Sequence, residues 1–179
     1  MQFVEHLRGS LLIFSQFSSA IFFSFADRAF VDAKHGFVRL MFGQSRVTGD
    51  ALRSLVVLHI VPRAVGAFLR SCREFGPSVR RFLESSGQPP EPIIQLQEEP
   101  DQTIALSANV LLSAFADAET VIDCYNISPF ALREITTTQT FSTSIDPVVR
   151  VQMPTSLFVA LLDSLEALPD LRAGGDANE

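Results

Sequence analysis

The sequence predicts an α+β protein made of two tandem β-β-β-α repeats, with small antiparallel sheets packed against helices. Apolar residues make up 47% of the 179 residues and charged residues 19%, a balance typical of a globular chain. A β-branched run, a proline and an amphipathic stretch occur twice, at residues 56–69 and 148–161. The same order of elements therefore recurs along the chain.

An internal alignment supports the repeat. Displacing the chain by 83 residues aligns residues 20–45 with 103–128 without a gap, and Val38 then falls on Val121. Farther along, the displacement becomes 92, and Pro62 falls on Pro154. We interpret the two segments as a duplication.

Each repeat is predicted element by element. Two apolar runs flank a polar centre, "DAKHG" in the first copy and "ADAET" in the second, which indicates a β-hairpin with His35 in the first turn. The valine-rich runs predict a third strand, and the proline after each suits the first turn of a helix. The apolar positions that recur at helical spacing are Val65, Phe68, Leu69 and Cys72 in the first helix, and Leu157, Phe158, Leu161, Leu162 and Leu165 in the second. Gly76-Pro77 predicts the end of the first helix.

The domain boundaries follow from composition. Residues 1–19 form an N-terminal extension, either a helix or an extra strand, and residues 20–87 form the first repeat. Residues 88–102, rich in proline and acids, are a linker before the second repeat at 103–168. Residues 169–179 are predicted to be a disordered tail.

One repeat buries too little apolar surface to be stable alone, so we expect it to pair with the other copy or with another chain. Residues 1–90 carry a net charge of +5 and residues 91–179 a net charge of −11. Opposite signs favour docking of one half on the other, within or between chains. The alternative is that both are ordinary solvated faces.

The sequence favours a cytoplasmic protein. Cys72 and Cys124 lie in apolar runs without metal spacing and are interpreted as reduced core residues, although pairing stays open. An apolar run at 11–25 ahead of Ala26 has some features of a secretory signal. Its serines, and Glu5 before it, favour a structured segment instead.

The turn and helix motifs carry a resemblance. The chain resembles the bacterial domain-of-unknown-function family numbered 3467, with Phe42-Gly43-Gln44 matching a turn and residues 62–69 a helix entry. In the second copy Ala108-Asn109 matches the opening strand, and Ala26 stands where Asn109 does. The resemblance implies a compact α+β module without established catalytic residues. A more distant analogy is the export chaperone SecB, an acidic oligomer with aromatic-rich grooves.

No catalytic or cofactor pattern stands out in the sequence. His6, His35 and His59 show no metal or triad spacing, and "FGQSRVTG" lacks a phosphate-loop pattern. Asp123 and Cys124 are adjacent on a predicted strand and would point to opposite faces. We therefore expect a protein that is not an enzyme and that uses neither cofactor nor metal.

The functional prediction is a protein-protein interaction or assembly module, oligomeric, with an unidentified protein partner. One alternative is a SecB-like chaperone that binds unfolded clients through a phenylalanine-rich surface. Another, less favoured, is a nucleic-acid-associated protein that uses a basic helix face, while a membrane partner is not expected. The predicted contact residues are Phe17, Phe22, Phe23 and Phe25 near the amino end, and Arg63, Arg70, Arg73, Arg80 and Arg81 on the first helix.

Overall fold

A computed structural model describes seven stretches of the chain: 4–7, 10–13, 22–45, 52–87, 103–128, 140–141 and 146–169. The predicted linker and all of the predicted tail except Pro169 lie outside the described residues. The structural statements below refer to the described stretches.

The chain order of elements has two strand-rich halves, each ending in a helix. The first half holds β1 (Val4–Leu7), β2 (Ser10–Ile13), β3 (Phe22–Phe25), β4 (Arg28–Lys34), β5 (Phe37–Ser45), β6 (Leu52–Ile60) and α1 (Pro62–Ser86). The second half holds β7 (Ile104–Ala108), β8 (Val110–Ala116), β9 (Glu119–Asn126), β10 (Thr140–Phe141), β11 (Asp146–Pro154) and α2 (Thr155–Ala167).

The two four-stranded sheets each borrow a strand from the opposite half. The first sheet has the order β4-β5-β6-β7, and the second has the order β3-β11-β9-β8. The borrowed strand is parallel to its neighbour in both cases, with Val56 opposite Ile104 and Val149 opposite Phe22. The other strand pairs in these sheets are antiparallel. A small third sheet joins β1, β2 and β10.

The chain leaves the second sheet and enters the first between Ala26 and Asp27. The Ala26 amide donates to the carbonyl of Gln152, and the next amide, that of Asp27, donates to the carbonyl of Gly43, at 2.8 and 3.1 Å. Oδ1 of Asp27 also accepts a hydrogen bond from the amide of Ser45 at 2.7 Å. The carboxylate thus ties the corner to the end of β5.

The second corner, at Ala108 and Asn109, repeats this arrangement. The Asn109 amide donates to the carbonyl of Tyr125 at 3.0 Å. Its side-chain Oδ1 accepts from the amide of Ile127 at 2.8 Å, and its Nδ2 donates to the carbonyl of the same residue at 2.7 Å. Ala26 and Ala108, which precede the two corner residues, are both buried.

These hydrogen bonds correspond at a displacement of 82 residues in the hairpins, one less than the sequence alignment indicates. Asp27, not Ala26, is therefore the counterpart of Asn109. In the third strands and helices the displacement is 93, which relates Val56 to Val149 and Pro62 to Thr155. A strand alternates its faces with a period of two, so a slip of one residue exchanges buried and exposed positions.

A predicted turn also differs from the structure. Phe42-Gly43-Gln44 does not form a turn; it lies within β5, where a bulge between Phe42 and Gly43 shifts the pairing with β6. The hairpin turns lie at His35-Gly36, as predicted for His35, and at Asp117-Ala118. His35 and Asp117, with φ of 54° and 51°, correspond at the displacement of 82.

Gly76-Pro77 does not end the first helix, because α1 runs without interruption from Pro62 to Ser86. A proline inside a helix costs about 3 kcal/mol, since it removes one backbone hydrogen bond and crowds the preceding turn. Packing of the last turns offsets this cost: Val79 and Leu83 are buried against Val159 of α2. The residues after Pro77 are therefore part of the same helix.

Both halves share a single main core. Its buried side chains come from both sheets and both helices, including the positions predicted from helical periodicity. Phe158 of α2 lies at its centre, with its ring centroid 6.4 Å from those of both Phe68 and Phe75 of α1. The predicted α+β class is thus confirmed, whereas each half contributes four main strands rather than three, and each sheet is completed by the other half.

Candidate functional site

Three of the four predicted phenylalanine contacts lie in β3 of the second sheet, and the fourth lies outside the described residues. Phe17 falls outside the described residues, and the side chains of Phe22 and Phe23 in β3 are not described. Phe25 ends β3 with 40% of its surface exposed, and its carbonyl accepts a hydrogen bond from Nε2 of Gln44 at 2.6 Å.

The five predicted arginines all lie on α1 and are exposed. Arg80 binds Asp163 of α2 through its two terminal guanidinium nitrogens. Nη2 donates to Oδ1, and Nη1 lies 3.4 Å from Oδ2. This hydrogen bonding raises the pKa of Arg80 above its ordinary value. At this point the basic helix of the first half contacts an acid of the second half.

A pocket of about 360 Å³ lies at the end of the β4–β5 hairpin, and the sequence reasoning did not identify it. We name its lining the basic tip: Lys34, His35, Phe37, Arg39 and His59. Its volume is at the low end of the range for small-molecule sites, and Arg39 of its lining is paired with the carboxylate of Asp32.

Local structure assembles the basic tip in two steps. Positive φ at His35 and Gly36 lets the chain reverse in two residues, which places Lys34 opposite Phe37. Phe37 and Arg39 then share one face of β5, because side chains alternate along a strand.

Pairing with β6 completes the pocket. His59 lies directly opposite Arg39, and its ring stacks on Phe37 at 6.2 Å between centroids with 29° between the planes. Phe37 is nevertheless 43% exposed, so part of its ring faces solvent.

An ion pair fixes the deepest cation of the basic tip. Nε of Arg39 donates to Oδ1 of Asp32 at 2.6 Å, and Nη2 donates to Oδ2. The Arg39 side chain is only 13% exposed, whereas Lys34 and His35 are exposed. The pocket therefore combines a guanidinium that is held by Asp32 with the exposed side chains of Lys34 and His35.

Taken together, the corresponding positions of the second half contain two carboxylates and no basic side chain. At the displacements found above, the counterparts of the basic tip are Ala116, Asp117, Glu119, Val121 and Gln152, which we name the acidic tip. Asp117 and Glu119 are exposed, and Nε2 of Gln152 donates to Oε2 of Glu119 at 2.5 Å. Two equivalent hairpin ends thus differ mainly in charge and in the exposed ring.

In the described stretches, both cysteines are buried, and Asp123 and Tyr125 flank Cys124 in β9. Burial raises the pKa of the Cys72 thiol to about 11 and that of Cys124 still further, and both thiols are free. Asp123 binds Arg150 through two hydrogen bonds of 2.6 Å, while Cys124 points to the opposite face, as predicted. Burial, followed by the charge of Asp123, raises the pKa of Tyr125.

The described stretches show neither a metal-binding cluster nor a membrane-spanning helix. They contain no cluster of three or more His, Cys, Asp or Glu residues that could hold a metal ion. Neither α1 nor α2 combines the length and apolarity that a bilayer crossing requires.

The basic tip could have been found from the sequence only with the correct strand register. The pair Phe37 and Arg39 on one face of a strand was visible, but His59 joins them through β5–β6 pairing, which local sequence does not specify. Comparisons of the chain with family models, curated proteins and solved structures gave no match.

Proposed function

We propose that this protein is a non-enzymatic protein-binding module, and that its basic tip receives an acidic segment of a protein partner. The observation that carries the proposal is a pocket in which the half-exposed ring of Phe37 lies beside Lys34, His35 and His59, with Arg39 held in place by its ion pair with Asp32. Aromatic and arginine side chains supply much of the energy at protein interfaces, and complementary charge provides orientation.

The exposed apolar surface beside the pocket supports contact with a protein chain. Phe37 is 43% exposed and Val61, which follows the paired end of β6, is 40% exposed. Covering the remaining exposed part of a phenylalanine removes roughly 85 Å² of apolar surface from water, worth about 2 kcal/mol. Arg63 follows two residues later and is exposed, so a predicted contact residue belongs to the same end of the first sheet.

A binding experiment tests the proposal. A fluorescently labelled peptide of alternating Glu and Leu is titrated with the protein and followed by anisotropy, with a Lys and Leu peptide as the opposite-charge control. We expect only the acidic peptide to bind, Phe37→Ser to weaken binding about tenfold or more, and added salt to weaken it further. Arg81→Ala is the matched control, because it removes an exposed cation of α1 outside the pocket.

Three results would contradict the proposal: equal binding of both peptides, no binding of the acidic one, or equal loss of affinity in the Phe37 and Arg81 variants. A preference for single-stranded DNA over the acidic peptide would favour the nucleic-acid alternative instead. Circular dichroism of each variant establishes that it keeps the secondary structure of the parent protein.

We also propose that the two halves are tandem copies of one unit, with the order β-β-β-β-α. The corresponding Asx hydrogen bonds at Asp27 and Asn109 support this, as does the common parallel pairing of the borrowed strands. Kinship with the family numbered 3467 is a proposal of the same kind. The chaperone alternative stays a proposal: of its predicted contacts, Phe25 is 40% exposed, and the side chains of Phe17, Phe22 and Phe23 lie outside the description.

A further inference from the structure

We propose that the strand β7 joins two copies of this chain by pairing with β7 of the second copy, antiparallel about a two-fold axis at Leu106. The first sheet, which has four strands, then continues into the first sheet of the second copy. This contact is a second interaction surface. It does not depend on the binding of an acidic segment by the basic tip.

The strand β7 is an exposed edge of the first sheet. Among the described strands it pairs with β6 alone, and that pairing contains no bulge. Ile104 is 54% exposed, and Ala105 and Ser107 on the other face of the strand are exposed as well. An edge strand presents backbone amides and carbonyls to which another strand can bind. The edge is therefore suited to an added strand.

The sequence of β7 lacks the features that usually protect an edge, which are charges, a proline, a bulge or a covering helix. It reads IALSA, without charge or proline. At the opposite edge of the same sheet, β4 carries Arg28, Asp32 and Lys34, and α2 lies against it. At an edge of the second sheet, β8 packs on α1, with the rings of Phe115 and Phe82 5.7 Å apart. Of these three edges, β7 is the one open to pairing.

A second copy fits this edge because a two-fold axis can place a strand antiparallel to itself. With Leu106 opposite Leu106 of the second copy, Ile104 lies opposite Ala108, and Ala105 lies opposite Ser107. Both flanking pairs include a small side chain, and no like charges meet across the contact. A charged segment would find no opposite charge on β7, so the same uncharged strand is the better partner.

Pairing through β7 also places two basic tips on one face of the joined sheet. Ser107 lies opposite His59 of β6, on the face that carries Arg39. Directly paired residues share a face, so this face continues from Ser107 to Ala105 of the second copy and then to its Val57. If the proposed function holds, a partner with two acidic segments gains affinity by binding both tips at once.

Cysteine cross-linking of the full chain tests the register of the contact. Leu106→Cys places two thiols opposite each other, with Cα atoms about 5 Å apart, which a disulfide can bridge. Ser107→Cys is the matched control, because its two copies are offset along the strands and lie about 8 Å apart, which is too far. The native cysteines are buried. Under mild oxidation we expect a reducible covalent dimer from Leu106→Cys and little or none from Ser107→Cys.

Sedimentation velocity tests the association itself, with the reduced parent protein at about 10 µM to 1 mM. The contact involves five residues from each copy, so we expect a weak dimer that dissociates on dilution and does not grow further. Ala105→Lys should weaken the dimer about tenfold or more, because a lysine on an edge opposes strand pairing. Ala114→Lys is the control at an exposed alanine of β8, and it should associate like the parent protein.

A parent protein that stays monomeric up to about 1 mM would overturn the inference, as would species that grow beyond a dimer. Equal cross-linking of the two cysteine variants, or equal weakening by the two lysine substitutions, would overturn it as well. Urea unfolding establishes that each variant keeps the parent fold; if Leu106→Cys does not fold, the two lysine variants decide. The peptide test of the basic tip stands apart from all of these outcomes.

Discussion

Replacement of Asn109 by alanine should destabilise the protein far more than the matching replacement of Asp27. The Asn109 side chain makes two hydrogen bonds to the backbone of Ile127, of 2.8 and 2.7 Å, and Ile127 is only 2% exposed. Asp27 makes a corresponding single bond, to the amide of exposed Ser45. The two corners therefore have the same geometry but different access to water.

The magnitudes follow from that difference. A hydrogen bond contributes about 1 kcal/mol net, and a buried polar group left without a partner costs about 1–3 kcal/mol. Asn109→Ala removes both bonds and leaves the amide and carbonyl of Ile127 buried, so we expect a loss of about 3 kcal/mol. Asp27→Ala exposes the Ser45 amide to water and should cost about 1 kcal/mol. Asn109→Asp keeps the acceptor and loses the donor, and should fall between them.

Urea unfolding followed by circular dichroism measures these differences, provided that the slope of the unfolding free energy against urea is unchanged among variants. The order should be Asn109→Ala, then Asn109→Asp, then Asp27→Ala, from most to least destabilised. Equal losses at Asn109 and Asp27, or a loss below about 1 kcal/mol for Asn109→Ala, would refute the role of the corner hydrogen bonds.

Four other changes test separate parts of the fold. Pro77→Ala should stabilise the protein by about 1–2 kcal/mol. The alanine restores a helix hydrogen bond, and this gain is only partly offset because the unfolded chain becomes less constrained. An unchanged or lower melting temperature would argue against an uninterrupted helix. Phe158→Ala should cost about 3–5 kcal/mol in urea unfolding because its side chain is fully buried; a cost under 1 kcal/mol would contradict the shared core. Arg80→Ala should cost less than about 1 kcal/mol in the same assay, because the ion pair with Asp163 is half exposed. Burial raises the pKa of Cys72 to about 11 in the folded protein. The stabilisation that this thiol provides is therefore complete below the ordinary thiol pKa and is lost as the pH rises from there to about 11. The unfolding free energy of the parent protein should therefore fall by about 2–3 kcal/mol more between about pH 9 and 11 than that of Cys72→Ala, which keeps the separate fall due to Cys124. An identical pH profile for the two proteins would count against burial of the Cys72 thiol.

Local patterns predicted the elements well. The valine-rich runs are β6 and β11, the apolar spacing after each proline marks the buried faces of α1 and α2, and His35 lies in a turn. Each of these depends on neighbouring residues, for which periodicity and turn chemistry are informative. Two local predictions failed. Phe42-Gly43-Gln44 lies within β5 rather than in a turn, and Pro77 lies inside α1, where packing of the last turns against Val159 outweighs local preference.

Long-range pairing was the part that local sequence did not determine. The alignment placed Ala26 on Asn109 because it maximised identities, whereas the hydrogen bonds relate Asp27 to Asn109. The exchange of β3 and β7 between the sheets pairs each strand with a partner from the other half, which local sequence patterns do not specify. The basic tip was missed for the same reason, since His59 meets Arg39 only through strand register.

The exchange of strands between the two halves is tested most directly by backbone proton distances in solution. Nuclear Overhauser effects measured on the isotopically labelled protein should connect residues 22–25 with 149–152, and residues 104–108 with 56–60, in parallel register. Contacts of residues 22–25 with 56–60 instead, and of residues 104–108 with 149–152, would mean that each half keeps its own first strand. That result would contradict the intertwined fold.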